Sequence, residues 1–515
     1  MKKSFESIFL IPAFVFFFLG FAFTSCVDEG DYTTSSSVEL KFSSDTLSFD
    51  TVFTTIGSTT KILMVYNKEN QAVKIDRIKL GGGVASYYRL NVDGDTSLVA
   101  KDIEIGAKDS LYVFVRLELD YNNQSNPLLV EDSIEFFFNN KHQKVLLQAF
   151  GQDAYYHKPS HYLLSQNQSG GYDTIWFSMA HENPESCGVI VNGNDIEWKN
   201  DKPHVVLGVC AVDSAYTLNL SANTKIHFQN SAEFWVYKDA TLKAEGDVSQ
   251  PIVFQGLRLD EYYKDIPGQW GCVRFMAGCK DNVLNNVVVK NATIGILVDT
   301  CVTNNPTIEI LNTKIENCSY IGLYSRGAVL DMKNSLVQNC GSYLLALTLG
   351  GSYQFVHCTF ANYYNYKTRT TPSLYFNDYY LDINYNVQYR AIERVEFYNS
   401  IVYGALSETE IEFDMIEQSL STIRFDYCLA KYDVDNQNMN LFTNSIFNEE
   451  PLFIDASQGD LHLQENSPCI GKGSGVWGYN LPYDIEGNYR LDPPSIGAYE
   501  YKPQTKFKIS KKKSL

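Results

Sequence analysis

The stretch that decides the fold reads KIENCSYIGLYS at residues 314–325 and, one repeat later, LVQNCGSYLLAL at residues 336–347. In both copies a short apolar strand ends at an Asn-Cys pair, and a second apolar strand follows within a few residues. The Asn position recurs at Asn291, Asn317, Asn339 and Asn362, whose numbers differ by 26, 22 and 23. A period of just over 20 residues that carries two or three strands predicts a β-solenoid, in which successive coils stack.

The recurring Asn and Cys residues suit such a stack. Like residues on adjacent coils lie ~4.8 Å apart, and Asn tolerates the left-handed backbone of a tight turn. We therefore expect an Asn ladder along one corner, with side-chain amides that hydrogen-bond from coil to coil. Cys318 and Cys340 occupy the same position in adjacent coils. We predict that both are buried free thiols, because free Cys behaves as a small hydrophobe.

The pattern on either side of the repeat divides the chain. Residues 39–154 alternate apolar and polar side chains in seven or so short runs, such as Lys61–Tyr66 and Lys144–Phe150. This pattern predicts an immunoglobulin-like β-sandwich. The complete prediction is an all-β protein with a signal peptide (1–25), a tether (26–38), the sandwich (39–154), a transition segment (155–204), the solenoid (205–440), its C-terminal cap (441–501) and a basic tail (502–515).

Composition narrows the range of partners. The chain has 42 Lys and Arg against 60 Asp and Glu, and its formal net charge is −18. An acidic surface does not neutralise phosphates, so we expect no nucleic-acid partner. The chain contains 35 Tyr but only 5 Trp. This abundance of Tyr is typical of β-rich proteins that carry amphipathic rings on their surface.

The N-terminal stretch up to Cys26 determines the expected location. Lys2 and Lys3 precede an apolar run from Ile8 to Phe23, which is too short for a membrane span and predicts a secretory signal. Cys26 just after this run resembles a bacterial lipobox, although Phe23 replaces the usual aliphatic residue. The resemblance implies a lipid on Cys26 and anchoring in the outer membrane of a Gram-negative bacterium, facing the cell exterior. The alternative is a plain signal peptide with an incidental Cys.

The C-terminal part of the chain resembles a known family. Ser467–Ile470, Asp484–Arg490 and Ile496–Glu500 are similar to the closing cap of right-handed parallel β-helix proteins with a choice-of-anchor Q domain. Ser495 stands where that family usually has Asp. The resemblance covers residues 205–501 and implies a surface lipoprotein whose solenoid is a right-handed parallel β-helix. It implies no single activity.

Four charged residues of the expected cap need an explanation: Asp484, Glu486, Arg490 and Glu500. One possibility is a cation site. We favour a structural network, in which these residues pair with one another and hold the cap over the last coil, since an open β-helix end must be covered.

The chain lacks the catalytic signatures that this fold can carry. Polysaccharide hydrolases of the fold use a Gly-His-Gly, which does not occur here. A lyase would show acids at one phase of the repeat, whereas the aligned positions are Asp299, Arg326 and Thr348. His157 and His161 flank a Pro that breaks the helix a metal-binding pair would need. We assign no catalytic residue, metal site or cofactor.

Two segments are candidates for ligand binding. The segment from Gly256 to Trp270 interrupts the coils and must protrude, and loops on a rigid scaffold often carry function. The second segment is rich in Tyr. For both segments the alternative is a purely structural role in turns and strands. The candidates are Arg258, Asp260, Tyr262, Tyr263 and Asp265 in the first segment, and Tyr363, Tyr364, Tyr366, Tyr379, Tyr380, Tyr385 and Tyr389 in the second.

Together these features favour a non-catalytic, lipid-anchored surface protein that binds a glycan or another surface component. Tyr262 and Tyr263 would stack on sugar rings, while the charged residues of the first segment bond the hydroxyls. The acidic surface favours neutral glycans over uronate-rich ones. The alternative is a polysaccharide lyase or hydrolase that acts on an extended polysaccharide, and two carboxylates within ~10 Å on one face would favour it.

Overall fold

The structure is a computed structural model with two compact units, which divide between Asp153 and Ala154. Cys26, Glu261, His161 and the tail beyond residue 503 lie outside the described residues. The described residues are 32–53, 57–119, 128–157, 163–166, 172–174, 189–191, 197–260, 262–300, 306–416, 422–433, 437–477 and 480–503.

The first unit is a β-sandwich. Its described strands are β1 (Lys41–Phe42), β2 (Thr46–Phe53), β3 (Lys61–Tyr66), β4 (Val73–Leu80), β5 (Tyr88–Val92), β6 (Val99–Ile105), β7 (Ser110–Leu117), β8 (Leu128–Phe138) and β9 (Lys141–Gln152). One sheet has the order β1-β3-β7-β5, and the other has the order β2-β9-β8-β4-β6. Alternation places Leu111 and Val113 in the core, with Tyr112 between them exposed. The predicted N-terminal β-sandwich is confirmed.

The second unit is built from short strands. The first half comprises β10 (Tyr155–His157), β11 (Leu163–Gln166), β12 (Tyr172–Thr174), β13 (Val189–Val191), β14 (Glu197–Trp198), β15 (His204–Val206), β16 (Val209–Val212), β17 (Thr217–Leu220), β18 (Lys225–Phe228), β19 (Glu233–Val236), β20 (Thr241–Glu245), β21 (Ile252–Gly256), β22 (Val273–Phe275), β23 (Asn282–Asn285), β24 (Val287–Lys290), β25 (Ile294–Val298) and β26 (Ile308–Leu311).

The second half comprises β27 (Lys314–Glu316), β28 (Ile321–Arg326), β29 (Val329–Lys333), β30 (Leu336–Gln338), β31 (Leu345–Thr348), β32 (Ser352–Val356), β33 (Thr359–Asn362), β34 (Leu374–Asn377), β35 (Tyr379–Leu381), β36 (Val387–Tyr389), β37 (Arg394–Tyr398), β38 (Ile401–Gly404), β39 (Ile411–Asp414), β40 (Thr422–Asp426), β41 (Leu429–Ala430), β42 (Phe442–Thr443), β43 (Ile446–Phe447), β44 (Phe453–Asp455) and β45 (Asp460–Leu463). The described helices are 3₁₀ turns at Gly83–Ala85, Gln437–Leu441 and Ala456–Gln458. Within the described ranges, no helix has the length and apolar character needed to cross a membrane.

Most of these strands form three parallel sheets, to which successive coils contribute one strand each. Sheet 1 has the order β10-β15-β18-β21-β24-β27-β30-β33-β38-β41-β43. Sheet 2 has the order β13-β16-β19-β22-β25-β28-β31-β34-β39, and sheet 3 has the order β14-β17-β20-β23-β26-β29-β32-β37-β40-β42. The predicted parallel β-helix is confirmed. Its first strand, β10, already lies within the segment 155–204, and β43 lies beyond residue 440.

The register of sheet 1 reproduces the period of the sequence. Val288 pairs with Lys314, Lys314 with Leu336, and Leu336 with Thr359. The numbers of these partners differ by 26, 22 and 23, as do those of the four Asn positions. The sequence repeat is therefore one turn of the helix.

Asn residues shape the corner between sheet 1 and sheet 2. Asn291, Asn317 and Asn339 have left-handed backbones, with φ angles of 62°, 55° and 52°. Asn362, the fourth expected member, instead ends β33. Its Oδ1 accepts from the backbone N of Cys340 at 3.2 Å, and its Nδ2 donates to the Cys340 carbonyl at 3.0 Å. The corner thus changes its geometry at the coil of Asn362.

A second Asn row, which the sequence analysis missed, turns the chain from sheet 3 to sheet 1. Its members with positive φ include Asn286, Asn312, Asn334, Asn399 and Asn444. In this row the side-chain amides hydrogen-bond from coil to coil. Asn334 Nδ2 donates to Asn312 Oδ1 at 3.0 Å, and Asn312 Nδ2 donates to Asn285 Oδ1 at 2.9 Å.

Cys318 and Cys340 lie in adjacent coils, directly after two ladder Asn residues. Both are fully buried, and neither forms a disulfide. A hydrogen bond with the Cys340 thiol and burial raise the pKa of Cys318 well above its ordinary value. The Cys318 thiol therefore remains protonated, and both side chains fill interior space at the corner.

The C-terminal segment, residues 449–503, packs along the outer face of sheet 1. Its Phe453, Leu461 and Ile496 form one core cluster with residues of four successive strands of that sheet, including Leu336 and Ile401. The reason lies in apolar outward positions on these strands, such as Leu336, Ala361 and Ile401. The sequence analysis predicts a cap over the last coil, but these contacts make the segment a lateral cover of several coils.

The four charged residues of the expected cap hold this segment together. Asp484 Oδ1 accepts from the backbone N of Glu486 at 2.9 Å, and its Oδ2 accepts from the backbone N of Glu500 at 2.9 Å. Arg490 Nη2 donates to Asn334 Oδ1 at 2.6 Å, while its Nη1 lies 3.7 Å from Glu500 Oε2. Glu486 Oε2 is 3.1 Å from His462 Nε2. These residues pair with one another and also tie the segment to the second Asn row.

Candidate functional site

Connections of unequal length join sheet 1 to sheet 2. They are short after β24, β27 and β30, where the ladder Asn turns the chain. After β21 and β33 they extend to residues 257–272 and 363–373, here called the first and second corner loops. Because stacked coils keep like positions in line, both loops project from the same corner of the helix.

The first corner loop is organised by its own side chains. The Arg258 guanidinium lies 3.0 Å from the centre of the Tyr263 ring, and Arg258 Nε is 3.5 Å from Asp260 Oδ2. Gln269 Nε2 donates to the Tyr263 carbonyl at 2.5 Å. Tyr262 contacts the Tyr263 ring edge to face at 4.9 Å and is 75% exposed. Arg258, Asp260 and Tyr263 therefore give the loop its shape.

The second corner loop is anchored by a buried ion pair. Arg369 donates to both carboxylate oxygens of Glu410, at 2.7 and 2.8 Å, and both side chains are almost fully buried. Ser373 Oγ donates to the same carboxylate at 2.6 Å. Because a buried pair is held in one geometry by its hydrogen bonds, this pair fixes where the Tyr-rich start of the loop lies.

The two corner loops meet above the short turns. The Tyr366 hydroxyl donates to the backbone carbonyl of Asp265 at 2.7 Å. Beside this contact is a cleft of about 330 Å³, the corner cleft, which the C-terminal segment closes on one side. The cleft is lined by Asp265, Glu316, Asn317, Gln338, Asn339, Tyr363, Tyr364, Asn365, Tyr366, Ser457, Gln458 and Gly459.

One polar group in the corner cleft lacks a partner among the described residues. Gln338 Nε2 donates to Glu316 Oε2 at 3.0 Å, which orients the amide because a carboxylate only accepts hydrogen bonds. In the part of the chain that the structure describes, Gln338 Oε1 has no hydrogen-bond partner, although the residue is only 6% exposed. An unmet buried acceptor costs about 1–3 kcal/mol, so a ligand that donates to this oxygen gains that amount.

Tyrosines supply ring faces and hydroxyl donors to the corner cleft. The Tyr364 and Tyr366 rings lie 5.6 Å apart between centroids. Burial raises the pKa of Tyr364, and burial together with the nearby Asp265 raises the pKa of Tyr366. Burial also raises the pKa of Tyr363. All three hydroxyls therefore stay protonated at neutral pH. Those of Tyr363 and Tyr364 can donate to a ligand, whereas that of Tyr366 already donates to Asp265.

The structure thus brings the two candidate segments together, but only in part. Asp265 of the first segment lines the cleft, as do the three residues Tyr363, Tyr364 and Tyr366 of the second. Arg258, Asp260, Tyr262 and Tyr263 are in the loop wall and are not lining residues. Tyr379, Tyr380, Tyr385 and Tyr389 belong to the β35–β36 hairpin, between sheet 2 and sheet 3.

Sequence analysis missed Glu316, Gln338 and Gln458 as cleft residues. Glu316 and Gln338 are partners in adjacent strands of sheet 1, and each directly precedes a ladder Asn. A polar residue at that fixed place in successive coils is a usable signal, because it predicts a polar row beside the corner. Gln458 has no such signal, since it reaches the cleft from the irregular C-terminal segment.

A pair of carboxyl groups lies on the outer face of sheet 2. Glu412 and Asp414 are two residues apart on β39, so they share one side of the strand and lie about 7 Å apart along it. The hydroxyls of Tyr375 and Tyr379 donate to the Asp414 carboxylate at 2.6 and 3.1 Å. Partial burial and the charge of Asp414 raise the pKa of Glu412. Two carboxyl groups in unequal surroundings can serve as an acid and a base.

The histidines of the first coils pack on aromatic rings. His157 Nε2 is 3.0 Å from His204 Nδ1, and the Trp198 ring stacks on both, at 4.1 and 4.4 Å. His161, the expected neighbour of His157, is outside the described residues. In the part of the chain that the structure describes, no three or more His, Cys, Asp or Glu side chains are placed to hold a metal ion.

Comparisons with known proteins give little similarity. No protein-family model and no curated protein matches the chain. A family 123 glycoside hydrolase from Clostridium perfringens matches 22% of this chain and 27% of its own, at 7% identity and a TM-score of 0.17. The E. coli chaperone DraB matches 22% of this chain and 55% of its own, at 8% identity and a TM-score of 0.16. PapD-like domain 7 of human CEP192 matches 26% of this chain and 95% of its own, at 12% identity and a TM-score of 0.16. Scores this low carry no argument about function.

Proposed function

We propose that the protein binds a neutral glycan in the corner cleft and leaves it chemically unchanged. The observation that carries this proposal is the unpartnered Oε1 of Gln338, a buried acceptor at the cleft that a sugar hydroxyl would satisfy. Aromatic rings beside amide and carboxylate groups suit sugars, which combine apolar C–H faces with hydroxyl edges.

The lining residues suggest how a sugar would lie. The rings of Tyr364 and Tyr366 would contact its C–H face, while the amides of Asn317 and Asn339 would bond adjacent hydroxyls. Asp265 and Glu316 accept hydrogen bonds from hydroxyls but repel a uronate carboxylate, which favours a neutral sugar. At about 330 Å³ the cleft is at the small end of ligand sites, so it fits a chain end or a short oligosaccharide.

The test is retention of the purified protein on a panel of immobilised neutral glycans. Gln338→Met keeps the length of the side chain but removes the acceptor, and we expect affinity to fall roughly tenfold. Gln354→Met is the matched control, because Gln354 also donates to a Glu, Glu396, but on sheet 3. It should leave retention unchanged.

One result would contradict the proposal, and a second would require a further variant. Equal retention of both variants would remove the cleft from the binding site. Loss of retention together with a lower unfolding midpoint in Gln338→Met would mean that the variant damages packing, and Tyr364→Ala would then decide. Tyr364 is partly exposed in the cleft wall, so its removal tests ring stacking with less effect on the coils.

We also propose that the protein is a lipoprotein of the outer membrane, anchored through Cys26 and facing the cell exterior. The support is the N-terminal sequence, in which an apolar run leads to Cys26. Cys26→Ala should move the protein from the membrane fraction to the soluble fraction, if the lipid is its dominant attachment. Labelling with a palmitate analogue checks the modification directly, and an unlabelled wild-type chain would refute it.

A glycoside hydrolase is the second candidate function, and the Glu412–Asp414 pair favours it. Glu412, with its raised pKa, would protonate the leaving oxygen, while the Asp414 carboxylate would take a proton from the water that attacks the anomeric carbon. The test is to incubate the protein with the glycan that it retains and to analyse the products by chromatography. Shorter products from the wild type, absent with Glu412→Gln, would establish hydrolysis and replace the purely binding role.

A further inference from the structure

A protruding hairpin interrupts the coil between sheet 2 and sheet 3. Strands β35 and β36 pair antiparallel, with Tyr379 opposite Tyr389 and Leu381 opposite Val387. At its tip Ile383 is 93% exposed and Tyr385 is 83% exposed. Side chains this open have almost no neighbours in their own chain, so the tip extends away from the stack.

The exposed surface of the hairpin is rich in large apolar side chains. The side chains of Tyr380, Leu381, Val387 and Tyr389 are 49%, 53%, 53% and 39% exposed. Together with the tip, they place six large apolar residues on the surface of the segment 379–389. Exposed apolar side chains grouped on one small element mark a surface that contacts another molecule.

The polar groups of the hairpin are satisfied on its other face. Asp382 Oδ1 accepts from the backbone N of Asn384 and Asn386, both at 2.9 Å, and its Oδ2 accepts from Gln388 Nε2 at 2.9 Å. Strand alternation puts Asp382, Gln388 and its partner Tyr380 on the side opposite Leu381 and Val387. The hairpin is therefore an amphipathic ribbon with its one charged group held by the turn.

We propose that this hairpin inserts its tip and its apolar face into the interfacial layer of a lipid bilayer. A stable protein interface takes about 20–30 residues a side, far more than this ribbon offers, whereas a bilayer accepts a small convex tip. Tyrosines are side chains that favour the headgroup level, and the charge of Asp382 keeps insertion shallow. Residues 379–389 contain no Lys or Arg, so the ribbon matches zwitterionic lipid and does not depend on anionic lipid.

The test uses the full chain with Cys26→Ala, so that no acyl chain can attach, and vesicles of phosphatidylcholine. The protein should sediment with the vesicles, and the added pair Ile383→Ser and Tyr385→Ser should weaken binding roughly tenfold or more. The matched control is Val84→Ser in the first unit, where Val84 is 82% exposed. Both variants should keep the wild-type unfolding midpoint, because exposed side chains contribute little to stability.

Three results would overturn the proposal. Absence of vesicle binding, or equal binding by the tip variant, would remove the hairpin from any membrane contact. Light scattering that shows an oligomer, converted to a monomer by the tip changes, would assign the hairpin to a contact between copies. Binding that needs phosphatidylglycerol and survives the tip changes would point to the basic tail, which carries six Lys in residues 502–515.

Discussion

Replacing Arg490 with Met should release the C-terminal segment from sheet 1. The residue is only 5% exposed, and burial lowers its pKa to about 10, so it stays charged at neutral pH. Its Nη2 donates to Asn334 Oδ1 at 2.6 Å and to the carbonyls of Gly497 and Ala498, both at 3.1 Å. Met fills a similar length but donates nothing, so it removes these bonds with little change of volume.

The size of the effect follows from the charge that Arg490 leaves behind. Glu500 is 4% exposed and would lose its cation, and breaking a buried pair costs about 3–5 kcal/mol. Arg394→Met is the matched control, because Arg394 lies 3.4 Å from Glu396 with a side chain that is 43% exposed. A surface pair contributes about 0–1 kcal/mol, so the two variants should differ by roughly 3 kcal/mol.

Hydrogen exchange is the suitable assay, because the segment can open without unfolding the coils. The amides of Gly497 and Ala498 bond to Asn399 O and Thr359 Oγ1, at 2.8 and 2.9 Å, so they report on the attachment. A loss of roughly 3 kcal/mol should speed their exchange about 100-fold in Arg490→Met. Amides of the first unit should not change.

The reasoning fails if these amides exchange within a few-fold of the wild type, or if Arg394→Met gives the same increase. A second variant separates the charge from the packing. Glu500→Gln added to Arg490→Met removes the unpaired carboxylate, so part of the protection should return. No recovery would mean that the lost hydrogen bonds, and not the buried charge, account for the effect.

Two further predictions concern the coils. Burial lowers the pKa of His204 and of His227 to about 4, so between pH 6.5 and 4 the unfolded chain binds protons that the folded chain does not. The free energy of unfolding should have its full value above pH 6.5. It should fall by up to about 1.4 kcal/mol per pH unit for each His as the pH drops toward 4. Thermal midpoints across this range check the prediction, and His227→Gln should flatten the slope. Gly295→Ala would place a Cβ 2.6 Å from the Gly322 carbonyl and 3.1 Å from Cys318 Sγ, so it should lower the free energy of unfolding by about 1–3 kcal/mol. The control is Gly106→Ala, whose Cβ first meets Asp109 at 3.5 Å, and it should change stability little. Equal unfolding midpoints for the two variants would show that the coils shift to accept the methyl group.

The stacked part of the fold could be predicted because each coil must turn in the same way. A left-handed turn after a buried strand selects Asn or Gly at one place, so Asn291, Asn317 and Asn339 repeat at the period of the helix. The second Asn row has the same cause, but His357 and Tyr427 also adopt positive φ in its vicinity. These departures obscured the period at that corner.

The lateral cover was missed because its cause lies in the strands that it covers. A solenoid strand alternates inward and outward residues, yet every residue of β33 and of β38 is buried. An outward Ile401 or Leu336 therefore predicts a further layer on that face, which can be read from the sequence in retrospect. The covering segment itself has no period, and the hydrogen bonds that attach it include pairs 139 and 156 positions apart.

The dimensions of the corner cleft follow from the spacing of the coils. Its walls are the long loops after β21 and β33, and its floor consists of the short turns after the strands between them. Since each coil adds ~4.8 Å, the two walls start four coils, or about 19 Å, apart before they lean together at the Tyr366–Asp265 contact. The same Asn turns that specify the fold thus keep the floor low enough for a ligand. A longer turn at Asn317 or Asn339 would preserve the stack of coils but would fill the cleft. The short ladder turns therefore serve both the fold and the proposed site.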